Sequence, residues 1–546
     1  MTVNSASASK RALGGGVSML AALSFLGARG CVFAGDVSLG DNPGAGALMG
    51  GAPAAGGAPA TGGAAATGGA SAAEAGQGGE TMVPAVGGAN QARGDSGTSV
   101  GQAGHDGQPA ASGGSGDSGS GGMISSGGMG GLGGAPASAG ASGGGTSGAG
   151  GTGGGGSATV EDDGADCDVP ALPDFSALPD ITQLPDPFTK LDGTRVERAS
   201  EWRCRREELL RQAEMYAFGT KPAPPEHVRG TVTENEITVE VEDGARTASF
   251  SAKLTLPSSG QPPYPVLISY GTTTLDARVI DSAGVAVVTY DPDAVGNPVR
   301  PRGASQQGVF YDLYDGGSTT GLLVAWSWGM SRLIDVVQQS DGSLLQRDAF
   351  GVSGCSMYGK GAFLAGALDQ RVALTMPIES GTAGVPIWRG IALSDSGPTG
   401  GEVLSLSETY SQAPWFADAF QPFTAAATRA PIDTHDIVAL IAPRGLFVMD
   451  NANIDELSSQ YGYVATLAGA EVYAALGARD NVSYQSNYPA SEGTHCSPKS
   501  EMEPYVRANL LKFLSKTGNG AGTIDVAPDA AGNLGDWRDW TTPTLN

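Results

Sequence analysis

The sequence predicts an α/β domain in which helices cover both faces of a mostly parallel central sheet, with antiparallel strands at its N-terminal edge. Three observations predict this fold class. Short, almost continuous apolar runs are typical of strands buried on both faces. These runs alternate with segments of helical periodicity, as in three-layer α/β domains. One predicted strand also leads through a tight turn bearing a serine directly into a helix.

The chain of 546 residues divides into segments of very different composition. Residues 44–160 are almost entirely Gly, Ala, Ser and Thr, and such a segment has too few large apolar side chains to offset its ordering entropy. We therefore expect a signal segment at 1–31, a disordered linker at 32–166 and a single catalytic domain at 167–546. A domain of this length can bury a large core.

The N-terminal segment has the features of an export signal. Lys10 and Arg11 precede an apolar stretch, 17–28, that is too short to span a bilayer securely. Cys31 follows this stretch and is a candidate for lipid attachment, although Arg29 disfavours a lipoprotein cleavage site. We expect a secreted or cell-surface-anchored protein with a bacterial-type signal, and lipid anchoring and free secretion both remain open.

The charge balance excludes some partners. The chain has 31 Lys and Arg against 56 Asp and Glu, a formal net charge of −25, and no stretch of it is rich in basic residues. This composition argues against nucleic acid or an anionic membrane surface as a partner. The few His and Cys residues lack metal-ligand spacing, so we expect no metal and no cofactor. A monomer is expected.

The elements of the domain follow in order. A charged helical pattern covers 201–217, and alternating apolar residues then predict antiparallel edge strands. Continuous apolar runs predict buried strands, and the segments between them predict the covering helices. The predicted strands are 237–241, 248–256, 265–270, 284–290, 349–353, 372–377 and 445–450, and the predicted helices after the first are 322–338, 359–368, 460–476 and 501–515.

The turn after strand 349–353 carries the candidate nucleophile, Ser356. Its segment has the Gly-x-Ser of a nucleophile elbow, but the second glycine comes one residue late. A serine hydroxyl needs a base, and the chain has only four histidines. His495 lies in a polar loop after the last predicted strand, where this fold supplies its base. His435 is the alternative, although a cap or a hydrogen bond to the helix that begins there explains it better.

A carboxylate should orient the imidazole of the base. Glu379 follows strand 372–377 and is expected at the same sheet edge as Ser356, which gives the order serine, acid, histidine. Asp450, Asp455 and Glu456 follow the next strand and remain alternative acids.

Four cysteines follow the signal segment: Cys167, Cys204, Cys355 and Cys496. In an oxidising compartment an even number favours disulfides, and four cysteines allow three pairings. Pairing Cys355 with Cys496 would join the residues beside the candidate nucleophile and base, and the other pair would then staple the start of the domain to its first helix. Buried free thiols are the alternative.

Several linked motifs resemble those of the glucuronoyl esterases, carbohydrate esterase family 15 of the α/β-hydrolase superfamily. The nucleophile segment Gly354-Cys-Ser-Met-Tyr-Gly-Lys-Gly-Ala362 is similar to the family's Gly-Cys-Ser-Arg-x-Gly-Lys-Gly-Ala. The other matching segments are 184–188, 219–224, 325–329, 377–381, 442–447 and 495–496. The resemblance covers nearly the whole predicted domain.

The resemblance implies cleavage of the ester between 4-O-methyl-glucuronate of plant glucuronoxylan and lignin alcohols. Ser356, Glu379 and His495 would form the triad, and Lys360 would contact sugar hydroxyls. The family's disulfide falls at Cys355 and Cys496.

The sequence departs from the family at several positions around the expected site. Met357 replaces an arginine that helps hold the oxyanion, although the backbone N–H of Met357 can still serve. Leu404 and Gln412 replace a sugar-contacting Gln and Glu, and Glu456 replaces a substrate-facing Trp. Gln412 and Glu456 are therefore candidate substrate contacts. An esterase for another carbohydrate or aryl ester, and a non-catalytic carbohydrate-binding protein on a hydrolase scaffold, are the alternative functions.

Overall fold

The computed structural model describes residues 160–161, 164, 166–299, 302, 306–315, 319–395 and 404–546. The expected signal segment with Cys31, and all of the expected linker except four residues at its end, lie outside the described residues. Within the described part of the chain, no helix combines the length and apolarity needed to cross a bilayer.

The described residues form one ten-stranded sheet that confirms the predicted fold class. Its strand order is β1-β2-β3-β5-β4-β6-β7-β8-β9-β10. The first three strands are antiparallel, β3 is antiparallel to β5, and every pairing from β5 to β10 is parallel. The strands are β1 (His227–Val232), β2 (Glu236–Asp243), β3 (Arg246–Thr255), β4 (Tyr264–Tyr270), β5 (Ala286–Tyr290), β6 (Leu345–Cys355), β7 (Val372–Ile378), β8 (Gly445–Met449), β9 (Val482–Gln485) and β10 (Ile524–Asp525).

Helices cover both faces of the sheet. The α-helices of the described residues are α1 (Trp202–Ala213), α2 (Ala277–Ser282), α3 (Pro292–Val295), α4 (Val309–Tyr314), α5 (Leu322–Gln339), α6 (Met357–Leu368), α7 (Trp388–Asp395), α8 (Leu406–Gln412), α9 (Thr434–Ile441), α10 (Ser459–Ala475) and α11 (Glu503–Phe513). Helices α1, α5, α6, α9 and α10 pack into the core on one face, and α2 and α11 pack into the core on the other.

Alternate residues of the central strands enter opposite cores. On β4, Val266 and Ile268 belong to the first core and Leu267 belongs to the second, and all three are fully buried. Because both faces are covered, the strand has no solvent side, which explains its continuous apolar sequence.

The predicted elements are present, with differences at the ends of the sheet. The predicted helix 201–217 is α1 followed by one π-helical segment, Glu214–Phe218. The predicted helix 501–515 begins as a short 3₁₀ turn and becomes α-helical at Glu503. Strands β1, β9 and β10 were not predicted. β1 is an edge strand without a buried side chain, and the other two have four and two residues.

The start of the folded chain is tied to helix α5. Glu161 forms ion pairs with Lys221, with Arg332 at 3.0 Å and with Arg371 at 3.5 Å. The side chain of Arg332 is fully buried. The packing of the domain therefore includes a residue that precedes Cys167.

Candidate active site

Ser356 lies in the tight turn between β6 and α6. Its backbone has φ +58° and ψ −123°, a conformation that non-glycine residues rarely adopt. Both neighbouring glycines are required by close backbone approaches. A Cβ at Gly354 would lie 2.4 Å from the carbonyl oxygen of Tyr358, and a Cβ at Gly359 would lie 2.6 Å from that of Ile378. The glycine that comes one residue late thus lets α6 start against the end of β7.

Glu379 and His495 are directly hydrogen-bonded. Glu379 Oε2 lies 2.6 Å from Nδ1 of His495. Since an ionised carboxylate only accepts hydrogen bonds, Nδ1 carries a proton, and in the neutral ring Nε2 has the free lone pair. The carboxylate side chain is 0% exposed and the imidazole is 31% exposed. The acid is therefore shielded while the ring remains accessible.

Three further groups donate to the Glu379 carboxylate. The backbone N–H of Cys496 lies 2.7 Å from Oε2, while Lys499 Nζ at 2.9 Å and Asn451 Nδ2 at 3.1 Å bind Oε1. Burial acts to raise the pKa of Glu379, but the hydrogen bonds from His495, Cys496 and Lys499 outweigh it, and the pKa is lowered. Glu379 is therefore ionised at neutral pH.

A disulfide joins the serine turn to the histidine loop. Cys355, the residue before Ser356, is bonded to Cys496, the residue after His495. A second disulfide joins Cys167 to Cys204 in α1. Of the three possible pairings, the structure therefore has the one that joins the residues beside the candidate nucleophile and base.

Four side chains of the site lie as close together as the ligands of a metal ion. Candidate ligand atoms of Cys355, Glu379, His495 and Cys496 lie within 4.8 Å of one another. Both sulfur atoms are in the disulfide, however, so neither is available as the thiolate that a metal needs. This donor set does not fit a metal ion.

The alternative acids have other surroundings. Asp450 is buried at the end of β8, accepts a hydrogen bond from Tyr484 at 3.3 Å, and has its pKa raised to about 6 by burial. Asp455 and Glu456 lie exposed on a short 3₁₀ helix, Asp455–Leu457. Among the described residues, Glu379 is the carboxylate hydrogen-bonded to His495.

The alternative base, His435, is fully enclosed. Its Nε2 lies 2.9 Å from the carbonyl oxygen of Pro185, and its ring stacks near Trp540. Asp433, rather than His435, caps α9. The histidine therefore joins α9 to the N-terminal segment of the domain, and its complete burial leaves no access for a substrate.

The expected substrate contacts divide into two groups. Met357 is the first residue of α6, and Lys360, one turn along, donates from Nζ to the carbonyl oxygen of Ser380. These two residues lie beside the serine turn. Gln412 ends α8 and is exposed, and Glu456 is also exposed, with its carbonyl oxygen near Gly381. No contact to the Glu379–His495 pair is observed for their side chains within the described part of the chain.

Lys499 and Asn451 are the site residues that the sequence analysis missed. Lys499 lies four residues after His495, and Asn451 follows the buried Asp450. A charged residue so close to the candidate base is a signal that could have indicated Lys499. No feature of the neighbouring sequence indicates that Asn451 belongs to the site.

Known proteins are similar to this chain in sequence and in fold. Residues 239–477 match the family model described as glucuronyl esterase, fungi. The 4-O-methyl-glucuronoyl methylesterase of Hypocrea jecorina is 35% identical over 384 residues, which cover 70% of this chain and 80% of that protein. The crystal structure of a Hypocrea jecorina glucuronoyl esterase catalytic domain has a TM-score of 0.64 and 34% identity, over 69% of this chain and all of that one.

A ligand complex is also among the related structures. A serine-to-alanine variant of the Sporotrichum thermophile glucuronoyl esterase, in complex with methyl 4-O-methyl-β-D-glucopyranuronate, has a TM-score of 0.63 and 32% identity, over 70% of this chain and all of that one. The extent of these matches, together with the fold, shows that this chain is a member of the glucuronoyl esterases, carbohydrate esterase family 15, a family of carboxylic ester hydrolases.

Proposed function

We propose that this protein hydrolyses the ester between (4-O-methyl-)glucuronic acid of glucuronoxylan and lignin alcohols, with Ser356, His495 and Glu379 as its triad. The observation that carries the proposal is the 2.6 Å hydrogen bond between His495 and Glu379, joined to the serine turn by the Cys355–Cys496 disulfide. Relatives named 4-O-methyl-glucuronoyl methylesterases support the substrate class.

The proposed reaction has two halves. Ser356 Oγ attacks the uronoyl carbonyl carbon while Nε2 of His495 takes the hydroxyl proton. The tetrahedral intermediate expels the alcohol, which receives this proton, and the uronate stays esterified to Ser356. His495 then deprotonates a water molecule whose oxygen attacks this ester, and returns the proton to Ser356 Oγ as the acid is released. Glu379 holds the ring and stabilises its cationic form in both halves.

The oxyanion requires donors at the start of α6. The N–H of Met357 directly follows Ser356 at the start of α6, where the helix dipole favours a developing negative charge. The family's arginine is absent at this position, and loss of one oxyanion donor typically lowers turnover by about 100- to 1000-fold. We therefore infer that the backbone supplies most of the oxyanion stabilisation. We expect turnover to be slower than in a site that has arginine at this position.

A second candidate substrate class follows from the same departures. Leu404 and Gln412 stand where the family has sugar-contacting polar residues, and both are exposed. Met357 presents a thioether, which favours apolar groups, beside the serine turn. These residues favour an aryl or differently decorated carbohydrate ester as the second candidate. Lys360 favours a carbohydrate ester, because its ammonium group, beside the serine turn, can donate hydrogen bonds to sugar hydroxyls.

The test compares the full-length protein with two serine variants on two esters. We expect hydrolysis of benzyl glucuronate to be lost in Ser356→Ala and kept in Ser343→Ala, which changes an exposed loop serine. Turnover that persists in Ser356→Ala would refute the nucleophile. Hydrolysis of phenyl acetate without hydrolysis of benzyl glucuronate would replace the proposed substrate by the second class.

We also propose that the protein works outside the cytoplasm as a monomer. Two disulfides fit an oxidising compartment. Attachment of a lipid to Cys31, which would bring the domain to a cell surface, belongs to the same proposal. This is tested by labelling with a radioactive fatty acid. We expect the wild-type protein to incorporate the label and Cys31→Ala not to do so.

A further inference from the structure

Lys499 is a lysine buried beside the proposed acid. Its side chain is 1% exposed, and Nζ lies 2.9 Å from Glu379 Oε1. A lysine in such a place must have its charge compensated, since an isolated buried ammonium is strongly disfavoured. Glu379 supplies the compensating charge, and the pair forms within the hydrogen-bond network of the imidazole.

The remaining contacts of Lys499 all go to the loop that carries His495. Nζ donates to the carbonyl oxygens of Thr494 at 2.8 Å and Ser497 at 2.9 Å, with the Ser497 hydroxyl at 3.2 Å. The ring of Tyr488 lies 5.4 Å away. Lys499 therefore folds its own loop around its ammonium group and joins that loop to Glu379, independently of the disulfide.

We propose that Lys499 is a positioning residue for the reaction, which fixes the histidine loop on Glu379 and compensates the charge that this carboxylate presents to His495. The inference rests on the proposed triad and names a fourth residue that acts through Glu379. A general base works only when it is unprotonated, so this control of charge sets the pH range of the enzyme.

The charges around Glu379 determine in which direction the loss of Lys499 would shift the pH dependence of the reaction. Lys499 is the cation bonded to it. The other titratable and charged residues nearby are His495, Asp450 directly after β8, Lys360 of α6 beside Ser380, and Glu456, whose backbone carbonyl lies beside Gly381. An uncompensated carboxylate stabilises a neighbouring imidazolium. With Lys499 present, the resting pair of Lys499 and Glu379 has no net charge. Without it, protonation of the ring becomes easier.

The first variant is Lys499→Met, which keeps the length of the side chain and removes its charge. We expect the acid limb of kcat/KM to move to higher pH by about one unit. The imidazole of His495, followed by NMR in the full-length protein, should titrate with a midpoint moved in the same direction. The chain has only four histidines, so a His495→Gln spectrum assigns the signal.

Three controls separate charge from structure. Lys499→Arg retains the charge and should keep the midpoint even where kcat falls. Ser497→Ala removes a loop hydrogen bond but not the ammonium, so it should lower kcat without moving the midpoint. Lys516→Met changes an exposed lysine and should change neither.

The outcomes are distinct. A His495 midpoint that is unchanged in folded Lys499→Met overturns the inference, and so does an equal shift in Ser497→Ala. If Lys499→Met does not fold, Lys499→Arg decides: a midpoint displaced as far as one unit despite the retained charge contradicts the proposal. The NMR titration needs no turnover, so a protein that hydrolyses no glucuronoyl ester would refute the proposed function while still testing Lys499.

Discussion

The domain has one disulfide at the proposed active site and another at the start of α1. Removing each in turn separates the effect of the active-site disulfide on activity from the general effect of losing a disulfide. The Cys355→Ala/Cys496→Ala double variant removes the bridge between the serine turn and the histidine loop. The Cys167→Ala/Cys204→Ala double variant removes a bridge at the start of α1 and is the matched control, since it has no contact with the proposed triad.

The expected loss of stability follows from the chain length that each bridge closes. The sequence separations are 141 residues for the site bridge and 37 residues for the control. In the chain-entropy description these separations correspond to about 5 and about 4 kcal/mol of unfolding free energy at 25 °C. The two variants should therefore differ little in stability.

Their activities should differ strongly. Without the site bridge, the loop bearing His495 keeps its hydrogen bonds to Glu379 but loses its covalent link to Ser356, and a displacement of about 1 Å costs roughly 100-fold in rate. The control should keep its kcat/KM on benzyl glucuronate within about threefold, the usual spread of effects away from a site. Denaturant unfolding and kinetics, measured on samples whose near-UV circular dichroism is native, test both. Equal losses of activity in the two variants would refute the argument.

Four more changes test single residues. Glu379→Gln should lower kcat/KM by about 1000-fold because it removes the charge that stabilises the imidazolium. Asp450→Asn should remain active, because Glu379 rather than Asp450 is hydrogen-bonded to His495. Since the pKa of Asp450 is about 6, the unfolding free energy of the wild type falls by up to about 3 kcal/mol as pH rises from 4 to 6, so in urea unfolding the variant should be the more stable protein at pH 8 and equal at pH 4. Glu161→Gln should lower the unfolding free energy by about 3 kcal/mol, since it leaves buried cations undercompensated. Met357→Arg should raise kcat on benzyl glucuronate at least about tenfold, measured at saturating ester, and a lower kcat would show that the oxyanion is held elsewhere.

The central part of the fold could be predicted because burial on both faces is visible in the sequence. Strands such as β4 have no polar side, so their apolar runs are continuous. The strands at the ends of the sheet could not be predicted in this way. β1 has only exposed and half-buried residues, and β9 is a four-residue strand with two polar side chains that tertiary packing buries.

The site residues that could be predicted are those that are indicated by the sequence immediately around them. Ser356 is marked by the glycines that its turn requires, and Glu379 by its place directly after a buried strand. Two partners of the carboxylate were missed. Asn451 meets Glu379 across 72 residues of chain, and Lys499, although its charge lies close to His495 in the sequence, makes its contact with the carboxylate only once its loop is folded. Contacts of this kind depend on which strand ends are neighbours, which periodicity does not reveal.

Backbone strain connects these observations. Ser356, Glu379 and Cys496 all have positive φ, at a cost of about 1–3 kcal/mol each. Each of their N–H groups is bonded to the next part of the site: Ser356 to the carbonyl oxygen of Ile378, Glu379 to that of Met449, and Cys496 to the Glu379 carboxylate. Because Ile378 and Met449 end neighbouring parallel strands in register, the turns at Ser356 and Glu379 are each held by the end of the next strand, and Cys496 is held by the carboxylate that follows β7. The sheet therefore supplies the geometry, and the sequence motif supplies the side chains that use it.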